Sequence, residues 1–542
     1  METKKKSGFL MQGGILAAAG LVTRFIGMLY RIPLERTVGR EGMGYYSNAY
    51  EIYNIALLIS CYSVPVAVSK LIADKEGKGE YVNSSRYFKY SFRLSATIGL
   101  IVSLIVFIFA PQIADAFEYP SSVKPLRVLA PTIFVFSFMG VIRGFFQGKR
   151  TMVPTAVSQI VEQIFNAIVS VVAASYLVNA YKDTMEAASW GAAGGTAGTL
   201  AGAFFGLIFL AIVFFLKRNE TKELEASDVT AKKDEVKVIL KAIILTMMPI
   251  ILSQTIYQVS GIIDTYMFSN IMSKAGYDEA SRAVFWDAYS NRYKWMYNVP
   301  VAIASAFGVT IVPTLSACYG RKDIEGIKEK IASAVKVNML IAFPSAAGLG
   351  FLSYPILMLM FNHAEDTLGP KLLSIGCMAV VFFALSTVTN GILQGINMMR
   401  KPVIHSAIAL VIHIIVVYIG LKYTSYGIYL MVVANMFYGF CVCVMNWVSI
   451  ARRLKYKQEV VKTFILPAVC SAVMGGCAYF IYKTVYSYTF SNAIAVIPAV
   501  VAAVIIYTVL IILTRTVTEE ELKSMPKGMT LVGVLKKMRV LR

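Results

Sequence analysis

Fourteen apolar runs of about 20 residues recur from one end of this 542-residue chain to the other. Each is long enough to cross a hydrocarbon core roughly 30 Å thick as a helix rising about 1.5 Å per residue. The runs cover 9–30, 45–72, 88–110, 126–147, 153–178, 188–216, 239–268, 293–317, 331–361, 372–396, 403–421, 427–450, 461–482 and 493–513. They predict an all-α integral membrane protein with about 14 transmembrane helices. Only 15% of the residues are charged, against roughly 25% in soluble domains, so water is not the main solvent of this chain.

The net charge of +21 invites a nucleic-acid reading, which the placement of the charges removes. Counting residues at run edges with the adjoining loop, 36 of the 52 Lys and Arg residues fall at the N-terminus, the C-terminus and the even-numbered loops, and 13 in the odd-numbered loops. The other three, Arg24, Arg93 and Arg143, lie further inside runs. The positive-inside rule then puts both termini in the cytoplasm, and the basicity reports topology. Lys4, Lys5 and Lys6 before the first run look like the start of a signal peptide, but Arg24 and the long apolar continuation suit an uncleaved first span. At the other end, Leu531, Val534, Leu535, Met538 and Leu541 follow helical spacing among basic residues. A helix on the inner membrane surface and a disordered basic tail are both open readings of it.

Seven cysteines (Cys61, Cys318, Cys377, Cys441, Cys443, Cys470, Cys477) are odd in number, lack zinc-type spacing and read as small apolar fillers. His363, His405 and His413 are too sparse for a metal centre. No metal and no cofactor is expected. Neither a phosphate-binding loop nor a hydrolase nucleophile pattern occurs, so the chain reads as a transporter rather than an enzyme.

Two echoes divide the chain. Gly144-Phe145-Phe146-Gln147-Gly148 with Pro154 is matched by Gly391-Ile392-Leu393-Gln394-Gly395 with Pro402. Tyr53-Asn54 with Pro65 is matched, at a similar offset, by Tyr297-Asn298 with Pro313. They predict two related six-helix lobes, 1–216 and 242–451, joined by a cytoplasmic linker at 217–241. Two added spans follow over 452–514, then a basic tail over 515–542. In the sixth run, Gly191, Gly194, Gly195, Gly198, Gly202 and Gly206 give small-xxx-small spacing, the mark of close helix packing.

Ionisable groups inside spans cost about 2.5–3.5 kcal/mol at mid-membrane, so each asks for a partner, a cavity or a route to the interface. Arg24 and Arg31 share a helix face with Gly27 between them, and Glu51 and Asn54 share another. Arg24 and Glu51 both lie roughly 9 Å from the outer ends of their runs, close enough in depth to pair. Asp264, Arg292 and Lys294 form a second candidate cluster. Gln159, Glu162, Gln163 and Asn166 make one polar stripe on the fifth run, and Gln254, Gln258 and Gly261 another on the seventh. Interhelical hydrogen bonding and the wall of a wet cavity are the two readings of such stripes. Arginines beside a wet wall would favour an anionic ligand, because guanidinium grips phosphate oxygens in a bidentate fork.

The chain resembles the polysaccharide-transport branch of the multidrug/oligosaccharidyl-lipid/polysaccharide exporter superfamily, which includes stage V sporulation protein B-like proteins and MurJ-like lipid II flippases. Its carriers are Thr23-Arg24-Phe25-Ile26-Gly27, Ile262-Ile263-Asp264-Thr265, and 300–316 with Phe307-Gly308 and Val312-Pro313. The resemblance implies a V-shaped pair of six-helix lobes, two extra helices and a cationic central cavity. Arg24 matches the first-span arginine of that cavity and Asp264 the seventh-span acid. Arg31, Arg292 and Lys294 lie near its other basic positions, and the second-span arginine is absent around Leu57 and Leu58. The implied substrate is an undecaprenyl-pyrophosphate-linked cell-wall precursor, lipid II foremost, flipped outward across a bacterial cytoplasmic membrane and driven by membrane potential or an ion gradient. Three readings stand beside it: a flippase for another lipid-linked polysaccharide, a multidrug or cation antiporter using Glu51, Glu162 and Asp264, and a scaffold recruiting cell-wall synthesis enzymes through its tail.

Overall fold

The computed structural model describes residues 2–228, 233–362 and 365–517; His363 and the tail from 518 lie outside them. All fourteen apolar runs fold as helix, some with internal breaks, and no strand occurs among the described residues. Nine helices there are individually long and apolar enough to cross a membrane, or eleven spans if each bent pair is one. The chain is an all-α integral membrane protein. Its solvent-facing pattern agrees: on the helix Ala187–Leu216, Phe204, Ile208, Ile212 and Phe215 are exposed while the glycines are buried, the reverse of a soluble helix.

The first two runs are joined without the outer loop that their spacing implies. One helical tract, Glu2–Leu57, carries the first run and the start of the second and breaks only at Gly39, at φ 76° and ψ 173°. A side chain is strained at that φ, and glycine lets the chain kink there. A π-helical turn, Leu58–Tyr62, then leads into Val64–Gly77.

The chain divides after Asp287 into two compact units. The boundary falls beyond 217–241 because the seventh-run helix, Val236–Lys274, packs on helices of the first unit. The described part of 217–241 is tied down rather than free. Lys75 Nζ lies 2.6 Å from Asp234 and 2.8 Å from Glu80, and Asp228 accepts the Val82 N–H at 2.6 Å. The hydrogen bonds that Lys75 and Asn83 donate hold the Glu80 carboxyl below its ordinary pKa. Burial opposes the charge on Lys75, but its bonds to Asp234 and Glu80 outweigh that and raise its pKa.

Within each unit, the helix ending in the Gly-x-x-Gln-Gly motif packs on the repeated tyrosine helix. A Cβ at Gly148 would stand 2.8 Å from the Ile72 Cβ, and one at Gly395 would stand 2.8 Å from the Leu315 Cβ. Ile72 follows Tyr53 by 19 residues and Leu315 follows Tyr297 by 18. The extra residue is what one π turn inserts. The prolines are not equivalent: Pro65 follows Tyr53 by 12 and Pro313 follows Tyr297 by 16, a full helical turn apart. In the second unit, the last two helices, Leu466–Thr489 and Asn492–Leu513, close a core of Met474, Tyr482, Ala499 and Tyr507 beside Leu352.

Candidate functional site

Three helices of the first unit bring together most of the polar residues read as functional: the tract Glu2–Leu57, the helix Val153–Ala180 and the helix Val236–Lys274. Gly27 admits the Gln163 amide so closely that an added Cβ would stand 3.0 Å from its Nε2. Gly261 does the same for Glu51, whose Oε2 would lie 2.6 Å from an added Cβ. One turn beyond Gly261, Asp264 is buried, and Thr265 donates to the Gly261 carbonyl at 2.8 Å. Glycine is what lets a carboxylate and an amide sit directly against neighbouring backbones here.

Arg24 does not pair with Glu51. It is exposed and, among the described residues, has no carboxylate or hydrogen-bond partner, while Glu51 is half-buried against the seventh helix. Matching depth put the two residues at one level, but rotation about their helix axes points them to different neighbours. Arg31 is half-buried, with its guanidinium carbon 6.0 Å from the Tyr46 ring centroid. That ring belongs to a column absent from the sequence reading. The Tyr30 and Tyr46 hydroxyls are 3.4 Å apart, Tyr46 and Tyr50 ring centroids 4.6 Å, and the Tyr50 hydroxyl bonds the Thr199 hydroxyl. The heptad-like spacing of Tyr46, Tyr50 and Tyr53 was the available signal.

The stripe on Val153–Ala180 serves two purposes. Glu162 is paired with Arg143 at 2.8 Å, and Arg143 also donates to the Ser158 hydroxyl at 3.0 Å. Asn166 is buried and accepts from Ser170, which lies against the glycine face of Ala187–Leu216. Glu162 thus bonds across helices, while Asn166 bonds within its own helix to Ser170, whose hydroxyl also donates to the Gly195 carbonyl of the next helix at 2.7 Å. Gln163 faces Gly27, and Gln159 is half-buried with its Oε1 lacking a partner among the described residues. Asn54 is half-buried and Gln258 exposed; the Gln254 side chain lies outside the described residues.

In the second unit, Arg292 is 1% exposed and forms an ion pair with Asp366, itself 3% exposed. Asp366 also accepts the Gly369 N–H at 3.1 Å, and the Phe361 ring lies 5.3 Å from the guanidinium carbon. Arg292 is thus held inside its unit rather than in an outer loop. Lys294 is half-buried over the Tyr289 ring at 5.3 Å. Tyr289, Tyr293 and Tyr297 form a second aromatic column, with centroid spacings of 5.7 and 5.0 Å. No group of His, Cys and acidic residues suited to a metal occurs among the described residues.

Residues 9–318 match the polysaccharide biosynthesis protein family, and 249–419 match MatE. The chain is 27% identical to lipid II flippase MurJ of Bacillus subtilis (strain 168), over 86% of this chain and 88% of that protein. It is 22% identical to stage V sporulation protein B of the same organism, over 96% and 98% of the two chains. Among solved structures, lipid II flippase MurJ in an inward closed conformation superposes with a TM-score of 0.66 at 17% identity, over 91% of this chain and 97% of that one. An inward-facing multidrug resistance MATE family transporter gives 0.62 at 19% identity, over 81% and 99%. These structural likenesses show a shared transporter fold.

Proposed function

The chain belongs to the polysaccharide biosynthesis protein family, within the multidrug/oligosaccharidyl-lipid/polysaccharide exporter superfamily, and on that premise we propose that it flips an undecaprenyl-pyrophosphate-linked cell-wall precursor, lipid II foremost, to the outer leaflet. One observation carries the choice of an anionic substrate over a cationic drug. Inside the first unit Glu162 is paired with Arg143, and Glu51 and Asp264 each have an interaction within the protein, whereas Arg24 stays exposed without a protein partner among the described residues. A cation exporter wants the opposite balance. A guanidinium within a span is costly unless something anionic meets it, and a pyrophosphate matches its fork.

Arg24 is the phosphate anchor in this reading, with Arg31 and the tyrosine column beside it as the first unit's share of the pathway wall. Flipping then proceeds by alternating access without ATP. An inside-negative potential favours outward movement of anions by about 2.3 kcal/mol per charge per 100 mV. The site is that of a bacterial cytoplasmic membrane protein with both termini inside.

The test depletes the protein in cells and asks, with an impermeant probe, whether lipid II still reaches the outer leaflet. Rescue by the wild type but not by Arg24→Ala, at equal membrane levels, supports the reading. Unchanged exposure in cells without another lipid II flippase sinks it for lipid II. The near full-length match to stage V sporulation protein B favours a second reading, another polyprenyl-linked glycan, assayed the same way with that glycan labelled.

A further inference from the structure

The pathway reading leaves one intramembrane arginine unused. Arg93 is an exposed residue on the helix Tyr81–Ile108, one turn further along than Lys89, and the two share a face. The short helix Arg218–Ala226 presents a second pair with the same spacing, Arg218 and Lys222. Its seat is fixed: the Ser85 hydroxyl bonds Glu225, and Lys149 Nζ donates to the Thr221 hydroxyl at 3.3 Å. All four cations, together with Glu225, line one groove in the first unit. Among the described residues none of the four has a carboxylate partner. Like charges one helical turn apart repel, and here two such pairs meet.

Away from these charges the groove turns apolar. Its volume is about 660 Å³, and six phenylalanines contribute to its wall. Phe88 stacks on Phe214 with centroids 5.1 Å apart and meets Phe145 at 4.8 Å. The groove is therefore amphipathic, with four cations against the one carboxylate of Glu225 on the side that the charge count assigns to the cytoplasm and an aromatic wall on the side of the bilayer. A soluble phosphate would use the cations and leave the wall uncovered. A zwitterionic lipid would use the wall but bring its own cation with its phosphate, so it would add no net negative charge to the site.

We propose that this groove binds an anionic phospholipid of the cytoplasmic leaflet, its phosphate held by Lys89, Arg93, Arg218 and Lys222 and an acyl chain lying along the phenylalanine wall. The site is separate from the Arg24 region, and an anionic phosphate there compensates Arg93 at its depth in the membrane.

Native mass spectrometry of the full-length protein, with dioleoyl phosphatidylglycerol and dioleoyl phosphatidylcholine as probes, tests this directly. The wild type should bind phosphatidylglycerol at least tenfold more tightly than phosphatidylcholine. Arg218→Gln/Lys222→Gln, on an exposed helix where folding is not at stake, and Lys89→Gln/Arg93→Gln should each erase most of that preference. The control Arg452→Gln/Arg453→Gln removes the same charge elsewhere and should keep it. Equal binding of the two lipids overturns the proposal, as does equal loss in the control, which would mean diffuse attraction. Displacement by millimolar glycerol phosphate would make it a soluble-anion site. One-for-one displacement by a polyprenyl pyrophosphate would make it a substrate port. Either result also removes the phospholipid assignment.

Discussion

Arg24 and Arg292 are two arginines that the sequence offers in the same role, and the protein uses them in opposite ways. Arg292 in the second unit is 1% exposed and given over to Asp366. Arg24 in the first unit is exposed with no protein partner among the described residues. Between them stands Arg143, 11% exposed at its side chain and paired with Glu162. The difference teaches that charge inside a span does not by itself mark a ligand site. What marks it is charge that the fold leaves uncompensated, since a buried pair is already satisfied at the cost of desolvation.

The largest effect should come from Arg292→Ala. It strands a buried Asp366 carboxylate, and thermal unfolding of the detergent-purified protein should show a loss of about 3–5 kcal/mol. Arg292→Met/Asp366→Leu, which removes both charges, should recover most of that loss. A mild single mutant would mean the pair is not buried in the working protein, and the contrast with Arg24 would collapse. Arg24→Ala should reverse the pattern, with stability unchanged and transport reduced. Losing one charge-assisted contact costs about 1.5–3 kcal/mol, roughly 10- to 150-fold in flipping rate at matched protein levels. Transport that survives intact would break the anchor assignment.

Glu162→Ala sits between these cases. It leaves Arg143 with Ser158 alone among the partners described above, and a stability loss of about 1–2 kcal/mol is expected. The smallest effect belongs to the Lys75 clamp outside the bilayer. Lys75→Met should cost about 0.2–1 kcal/mol and raise the mobility of a spin label placed at Glu223. Because the folded Glu80 pKa is depressed and that of Lys75 is raised, the clamp is fully present above the ordinary glutamate value and below the ordinary lysine value, about 4.3 and 10.4. Label mobility should therefore rise as the pH falls below about 4, and remain flat through neutrality. A flat profile in acid would show that Glu80 does not hold the linker.

Much of the scaffold was legible in the sequence. The glycines of the sixth run pack as their spacing implies: a Cβ at Gly198 would stand 2.1 Å from the Ser170 hydroxyl oxygen, and one at Gly194 2.5 Å from the Ala174 Cα. The Gly-x-x-Gln-Gly echo marks equivalent helix contacts in the two units, at Gly148 with Ile72 and at Gly395 with Leu315. The proline echo does not, since Pro65 follows Tyr53 by 12 residues and Pro313 follows Tyr297 by 16, a difference that the sequence itself carries. Nor did the runs reveal that 31–44 is helical on both sides of a kink at Gly39.

What the sequence by itself determined is that the chain is a succession of apolar helices suited to a bilayer, because helix length against bilayer thickness is a one-dimensional quantity that local hydrophobicity sets. What only the tertiary structure decided is which charges stay available. Arg143 reaches Glu162 across 19 residues and Arg292 reaches Asp366 across 74. Such pairings depend on the rotation of each helix about its axis and on which neighbour it packs against. A run of apolar residues fixes neither, because in lipid every face of a helix is allowed until another helix claims it.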